Sequence, residues 1–161
     1  MRQSGILLHI SSLPSRGGIG TLGKEAFAFV DFLHSARVSV WQMLPVGPTG
    51  YGESPYQSGS SYAGNPLFID LDTLVKEGLL DEYSPSVPAA DEQVDYAVVR
   101  AEKEAALARC FAQSGEACAE AVAFFVAAHP WVTDWALFAA VKEHFGGAMW
   151  SKWPERDIRM H

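Results

Sequence analysis

The stretch GILLHISSLPSRGGIGTLGKEAFAFVDFLHSARVSVWQMLPV (Gly5–Val46) decides the fold. Its first residues, GILLHI (Gly5–Ile10), form a nearly continuous apolar run, the pattern of a strand covered on both faces. KEAFAFVDFLHSAR (Lys24–Arg37) then sets Phe29, Leu33 and Ala36 at helical spacing, with Thr21 as the expected N-cap. VSVWQMLPV (Val38–Val46) returns to strand character and is stopped by Pro45. Strand, helix and strand in that order make a βαβ unit, whose right-handed crossover sets the strands parallel. A glycine- and proline-rich loop follows each strand: SSLPSRGGIGTLG (Ser11–Gly23) and GPTGYGESPYQSGSSYAGNP (Gly47–Pro66).

Beyond the second loop, PLFIDL (Pro66–Leu71) is a short apolar stretch, and DTLVKEGLL reads as a short helix with Asp72 as cap and Gly78 as terminator. SPSVPAAD (Ser84–Asp91) is a rigid, proline-containing connection. The chain then turns helical: Gln93–Ala112 and Glu116–Ala128 are alanine-rich, broken at Ser114–Gly115. Thr133 is placed to cap a third helix, which Gly146–Gly147 stops near His144. A parallel sheet must be covered on both faces or closed into a barrel, and two or three strands achieve neither. The chain therefore reads as the beginning of a larger α/β protein, with residues 1–71 opening its sheet and residues 72–161 forming a mainly helical subdomain.

Composition narrows the function. At 161 residues, with 48% hydrophobic and 19% charged, the balance is that of a globular domain. A net charge of −7 argues against nucleic acid and against anionic membrane surfaces. No apolar run reaches transmembrane length and no signal peptide stands at the N-terminus, so the expected location is the cytoplasm. Cys110 and Cys118, eight apart in helical sequence, would stand about 12 Å apart in an unbroken helix, too far for a disulfide. Free thiols are expected. No histidine or cysteine spacing marks a metal site, and no cofactor is expected.

The two loops lie at the carboxyl ends of the strands, where binding residues of parallel α/β folds sit. RGGIG (Arg16–Gly20) lacks the Lys-Ser/Thr ending of a phosphate loop and reads as a tight turn into the helix. The second loop carries three tyrosines, Tyr51, Tyr56 and Tyr62, among five glycines and three prolines. Tyrosine offers a flat apolar face and one hydroxyl, which suits ligands with CH faces and OH edges, such as sugar rings. Ser54, Gln57, Ser60 and Asn65 add neutral donors and acceptors, and Glu53 is the loop's one charge. The same tyrosines also suit a purely structural loop stapled to its support, with the polar groups serving turns.

Elsewhere the chemistry is thinner. His9, near the end of the first strand, suits a ligand or base, but also a satisfied histidine at the core edge. Glu116 and Glu120 read as a solvated helix face, and Asp70 and Asp72 as caps. Trp131, Trp135, Trp150 and Trp153 fit either a glycan groove or aromatic packing between helices.

In order and spacing, GILLHISSLPSRGGIGTLG, FVDFL (Phe29–Leu33) and WQMLPVGPTGYGESPYQSGSSYAGNPLFIDL (Trp41–Leu71) resemble the amylomaltase, or disproportionating-enzyme, family of 4-α-glucanotransferases. TDWALFAAVKEHFGGAMWSKWP (Thr133–Pro154) resembles a later segment of the same family. The resemblance implies a (β/α)8 TIM barrel with helical insertions, of which this chain matches only the N-terminal portion. It implies retaining transfer of an α-1,4-glucan segment to the 4-hydroxyl of an acceptor glucan, by two carboxylates about 5–5.5 Å apart. In the family those carboxylates come from later strands and match no position here, so the expected catalytic set of this chain is empty and the chain alone is expected to be inactive. What carries over is substrate binding: Ser54 and Tyr56 resemble donor-subsite residues, and Tyr51 resembles a residue of an additional glucan-binding surface. The implied partners are maltooligosaccharides and α-1,4-glucans, with the oligomeric state left open. Two other readings stand beside this one: an amylase-like hydrolase, with water in place of the acceptor, and a non-catalytic glycan-binding module.

Overall fold

A computed structural model describes residues 2–87 and 93–154, the Tyr51 side chain excepted. The connection expected over Ser84–Asp91 extends into residues 88–91, outside that description, and the helix expected from Gln93 starts instead at Tyr96, capped by Asp95. The chain divides into two compact units, Met1–Cys118 and Ala119–His161.

The first unit holds the predicted βαβ crossover. Strand β1 (Gly5–Leu7) pairs in parallel with β2 (Val40–Gln42), with Gly5, Ile6 and Leu7 opposite Val40, Trp41 and Gln42. Helix α1 (Lys24–Ser35) joins them. The ladder runs past the strands at both ends, because Leu8 N–H donates to Gln42 O (3.1 Å) and Ser39 N–H donates to Ser4 O (3.2 Å). Trp41 then locks the register, its indole N–H donating to Leu8 O at 2.7 Å while its ring meets Phe29 of α1 edge-on at 4.9 Å. Of the helix face read from sequence, Leu33 is buried and Phe29 half-buried, whereas Ala36 has left the helix as its C-cap.

Thr21 does not cap α1; Gly23 occupies that position without a side-chain bond. The Thr21 hydroxyl instead donates to Asp70 Oδ2 (2.7 Å), and its backbone N–H donates to Ser15 Oγ (3.1 Å). Asp72 is likewise displaced from its expected role. The cap of α2 (Leu71–Lys76) is Asp70, which accepts from Thr73 N–H at 2.8 Å, and Asp72 turns to Arg16 at 3.0 Å. In both cases the residue next to the helix start takes the cap position, and the displaced side chain is bonded to a partner distant in sequence. Gly78 terminates α2 as read, at φ +73°.

Helix α3 (Tyr96–Ser114) packs on α2 and on the turn Pro66–Phe68. Two apolar clusters hold this unit together. Ile10, Leu13, Ile19, Ala26, Leu67, Phe68 and Val99 form the larger, beneath the two loops. Leu71, Leu80 and Ala106 form the smaller, between α2 and α3. Cys110 and Cys118 are free and half-buried.

The second unit contains α4 (Ala119–Ala128) and α5 (Trp131–His144), which are bent by 111° at the break between them. Pro130, not Thr133, takes the N-cap position of α5. The predicted Gly146–Gly147 stop adopts left-handed φ values of +64° and +79°. Trp153 is buried against Phe138 and Phe145, each at 5.8 Å, so this tryptophan serves packing, while Trp150 stays exposed. Among the described residues, no single helix is long and apolar enough to cross a membrane.

Candidate functional site

The two loops meet where the parallel strands end. The first is drawn tight by Gly17 and Gly18, both at positive φ, and by Gly20, whose N–H donates to Ser11 O at 3.1 Å. A Cβ at Gly20 would stand 1.7 Å from Ile10 O, so only glycine fits there. The glycines thus make the tight turn read from sequence.

The second loop is closed at its base by Asn65 N–H donating to Val46 O (2.9 Å), and Asn65 Oδ1 accepts from Leu67 N–H (3.0 Å) to start the turn Pro66–Phe68. Along the loop, hydroxyls substitute for a missing backbone ladder. Ser58 Oγ donates to Ser60 O (2.7 Å), and Ser60 Oγ accepts from Tyr62 N–H (3.2 Å) and Ala63 N–H (3.0 Å). This is the turn-serving role that the sequence left open for the serines. A 3-10 turn, Tyr51–Glu53, sits at the loop's front, with Gly52 at φ +71° and Glu53 at φ +54°.

Ser54 follows that turn directly and is half-buried, its Oγ accepting from Tyr56 N–H at 3.4 Å. Tyr56 is 72% exposed, which leaves its ring free to meet a ligand and rules out the stapling role for this tyrosine. Tyr51 contributes the first backbone position of the turn; its side chain lies outside the described part of the chain.

Beside Pro55 a cavity of about 170 Å³ opens between the loops. His9, Ser11, Ser12, Thr49, Glu53 and Asn65 supply its polar lining, and Leu44, Pro55, Phe68 and Tyr96 its apolar lining. Ser54 and Tyr56 flank Pro55 but do not line this cavity. His9 meets Phe68 edge-on at 5.4 Å, and its buried Nδ1 has no hydrogen-bond partner among the described residues. Burial lowers the His9 pKa, favouring the neutral imidazole. The floor of the cavity is thus uncharged, and Glu53 at its rim is already paired. Arg100 Nη2 of α3 donates to Glu53 Oε1 (2.7 Å) and Oε2 (2.9 Å), and the Thr49 hydroxyl donates to Oε2.

Behind the site, Asp70 joins the first loop to α2. It accepts from Thr21 and Thr73, and Lys103, only 2% exposed, donates its ammonium to Ile69 O next to it. Burial alone would raise the Asp70 carboxyl, but the Thr73 and Thr21 bonds and the Lys103 charge bring it net below its ordinary value. Burial lowers Lys103 to about 8, opposed only in part by Asp70 and Asp72. Sequence reading missed Arg100 and Lys103 altogether. The only sequence signal was that Glu53 stood as the single charge of a neutral loop, and a carboxylate so placed needs a cation from elsewhere.

These features define a parallel α/β protein with a neutral, hydroxyl-rich loop site at the carboxyl ends of its strands. Residues 8–161 match the model of the family described as 4-alpha-glucanotransferase, and the chain belongs to that family. It is 46% identical over 164 residues to the 4-alpha-glucanotransferase of Synechocystis sp., covering 98% of this chain and 32% of the relative. It is 44% identical over 158 residues to that of Thermus thermophilus, covering 95% of this chain and 31% of the relative. Among solved structures it is similar to the amylomaltase from Streptococcus agalactiae in complex with acarbose, with a TM-score of 0.90 and 41% identity, covering 96% of this chain and 32% of that one. The chain therefore spans about a third of the length of the relatives it matches.

Proposed function

We propose that this chain acts as the N-terminal part of a cytoplasmic 4-α-glucanotransferase, a retaining enzyme that moves an α-1,4-glucan segment onto the 4-hydroxyl of an acceptor glucan. In this reading residues 1–71 open a (β/α)8 barrel and residues 72–161 belong to its helical insertion. Ser54 and Tyr56 hold the donor glucan, Tyr51 belongs to an additional glucan-binding surface, and the nucleophile and the acid lie on strands beyond residue 161. The carrying observation is the second loop. It follows a parallel strand, is closed at its base by Asn65, and presents half-buried Ser54 and exposed Tyr56 next to a neutral, hydroxyl-lined cavity. A tyrosine face and hydroxyl edges match the two kinds of surface on a glucose ring. Glu53 is a loop contact in this reading, held by Arg100 and Thr49.

The test uses a full-length transferase carrying residues 1–161, either the natural one or a graft onto the remaining two-thirds of the Streptococcus agalactiae amylomaltase. Given maltotriose, it is expected to yield glucose together with longer oligomers, while residues 1–161 alone yield neither. Glucose and maltose without longer oligomers would support the hydrolase reading instead. Longer oligomers from residues 1–161 alone would overturn the assignment of the catalytic carboxylates to other strands.

A further inference from the structure

The ion pair between Glu53 and Arg100 joins residues 47 apart and stands directly before Ser54 and Tyr56. Glu53 has φ +54°, a left-handed conformation that a residue with a Cβ rarely adopts and holds only where its surroundings impose it. The surroundings here are explicit. One guanidinium nitrogen reaches both carboxylate oxygens, Thr49 donates to Oε2 from the other side, and Glu53 N–H donates to Gly50 O at 3.2 Å. Glu53 is 24% exposed at its side chain and Arg100 39%, so the pair is partly withdrawn from solvent.

The consequence of the pair falls on the loop and not on the helix. Helix α3 is anchored independently on both sides of Arg100: Val99 is buried in the larger core, Lys103 is buried and bonded to Ile69 O, and Ser114 Oγ donates to Leu79 O at 2.9 Å. Between Gly47 and Ser58, by contrast, the side-chain bonds among the described residues are short-range apart from the bridge to Arg100. The pair therefore ties the loop to an independently anchored helix.

We propose that Arg100 is a positioning residue for glucan binding: by fixing Glu53 in its left-handed conformation it sets the backbone that presents Ser54 and Tyr56. The functional half rests on the reading of Ser54 and Tyr56 as sugar contacts; the ordering of the loop does not. Arg100 acts through Glu53, which serves as its counterpart. Lysine is a poor replacement, because an ammonium lacks the planar fork that lets guanidinium bond one carboxylate while it neighbours another. That second carboxylate is Glu104, 4.0 Å from Nη1.

Hydrogen exchange of the full-length transferase carrying residues 1–161, read by mass spectrometry, tests the ordering directly. Arg100→Met is expected to speed exchange over residues 50–57 about tenfold, as suits loss of a charge-assisted bond, with exchange across α3 unchanged. Glu53→Gln should do the same, the double variant should add little beyond either single one, and Arg100→Lys should fall between. Unchanged loop exchange in Arg100→Met, or a rise confined to α3, would overturn the proposal. In the full-length transferase, Arg100→Met should raise KM for maltotriose severalfold and change kcat less, with Tyr56→Ala run as the control. If Tyr56→Ala raises KM and Arg100→Met does not, the positioning role fails. If Tyr56→Ala has no effect, the sugar reading fails, and the exchange result alone decides the ordering.

Discussion

Replacing Asp70 with alanine removes the connection between the first loop and α2. Three hydrogen bonds go with it: Thr21 Oγ1 to Oδ2 at 2.7 Å, Thr73 N to Oδ1 at 2.8 Å and Thr73 Oγ1 to Oδ1 at 2.6 Å. Loss of the N-cap costs about 1 kcal/mol. Loss of the charge-assisted bond from Thr21, which is 1% exposed, costs about 1.5–2 kcal/mol. Part of that returns if the Thr21 hydroxyl turns fully to Ser15 Oγ, 3.3 Å away. The net expectation is about 2–3 kcal/mol, or a fall in Tm of about 4–12 °C at this chain length. The sign of the pH dependence follows from the carboxyl's lowered pKa. Its contribution is present above the ordinary carboxylate value of about 4 and is lost as pH falls through the lower folded value. Chemical unfolding of wild type and Asp70→Ala at neutral and acid pH checks this. The gap should be full at pH 7 and narrow in acid. A cost below about 0.5 kcal/mol at pH 7, the level of an ordinary surface change, or a gap that widens in acid, would refute the reasoning.

Three further outcomes are expected. Gly20→Ala should cost about 3 kcal/mol or more in the same unfolding assay, since its Cβ meets the backbone oxygen of Ile10 at 1.7 Å, whereas Gly64→Ala, with nothing within 4 Å, should stay within about 0.5 kcal/mol. Lys103 is lowered from 10.5 to about 8, so between those values the unfolded chain binds more protons than the folded one and its burial becomes less costly as pH rises. Wild type should therefore gain up to about 3 kcal/mol on Lys103→Met between pH 8 and 10.5, and a flat difference would contradict the buried, partly desolvated ammonium. Tyr83 works in the opposite direction above pH 10, because burial first, then Glu102, raises its phenol to about 12; Tyr83→Phe should flatten the loss of stability between pH 10 and 12.

The crossover was legible because its evidence is local: an unbroken apolar run, a helical period and a second apolar run admit few arrangements. Lengths were less so. The strand read as Gly5–Ile10 is regular only over Gly5–Leu7, with one further ladder bond at Leu8, because Ile10 opens a 3-10 turn that buries it in the core beneath the loops. Caps failed where the helix began a residue or more away from the residue read, as Thr21, Asp72 and Thr133 show, and Thr21 and Asp72 instead bond partners distant in sequence. At the site, Tyr56 and Ser54 were visible as residue types in a loop of unusual composition. The pairing of Glu53 with Arg100 was not, because nothing in a neutral loop specifies which turn of a helix 47 residues later supplies its cation.

A crystal structure of the full-length transferase carrying residues 1–161, soaked with acarbose, tests the central claim most directly. The account predicts a sugar ring against the face of Tyr56 and a ring hydroxyl within hydrogen-bond distance of Ser54 Oγ, with the Glu53–Arg100 pair intact behind them. Acarbose bound elsewhere in the protein, with the loop Gly47–Pro66 out of contact, would contradict it.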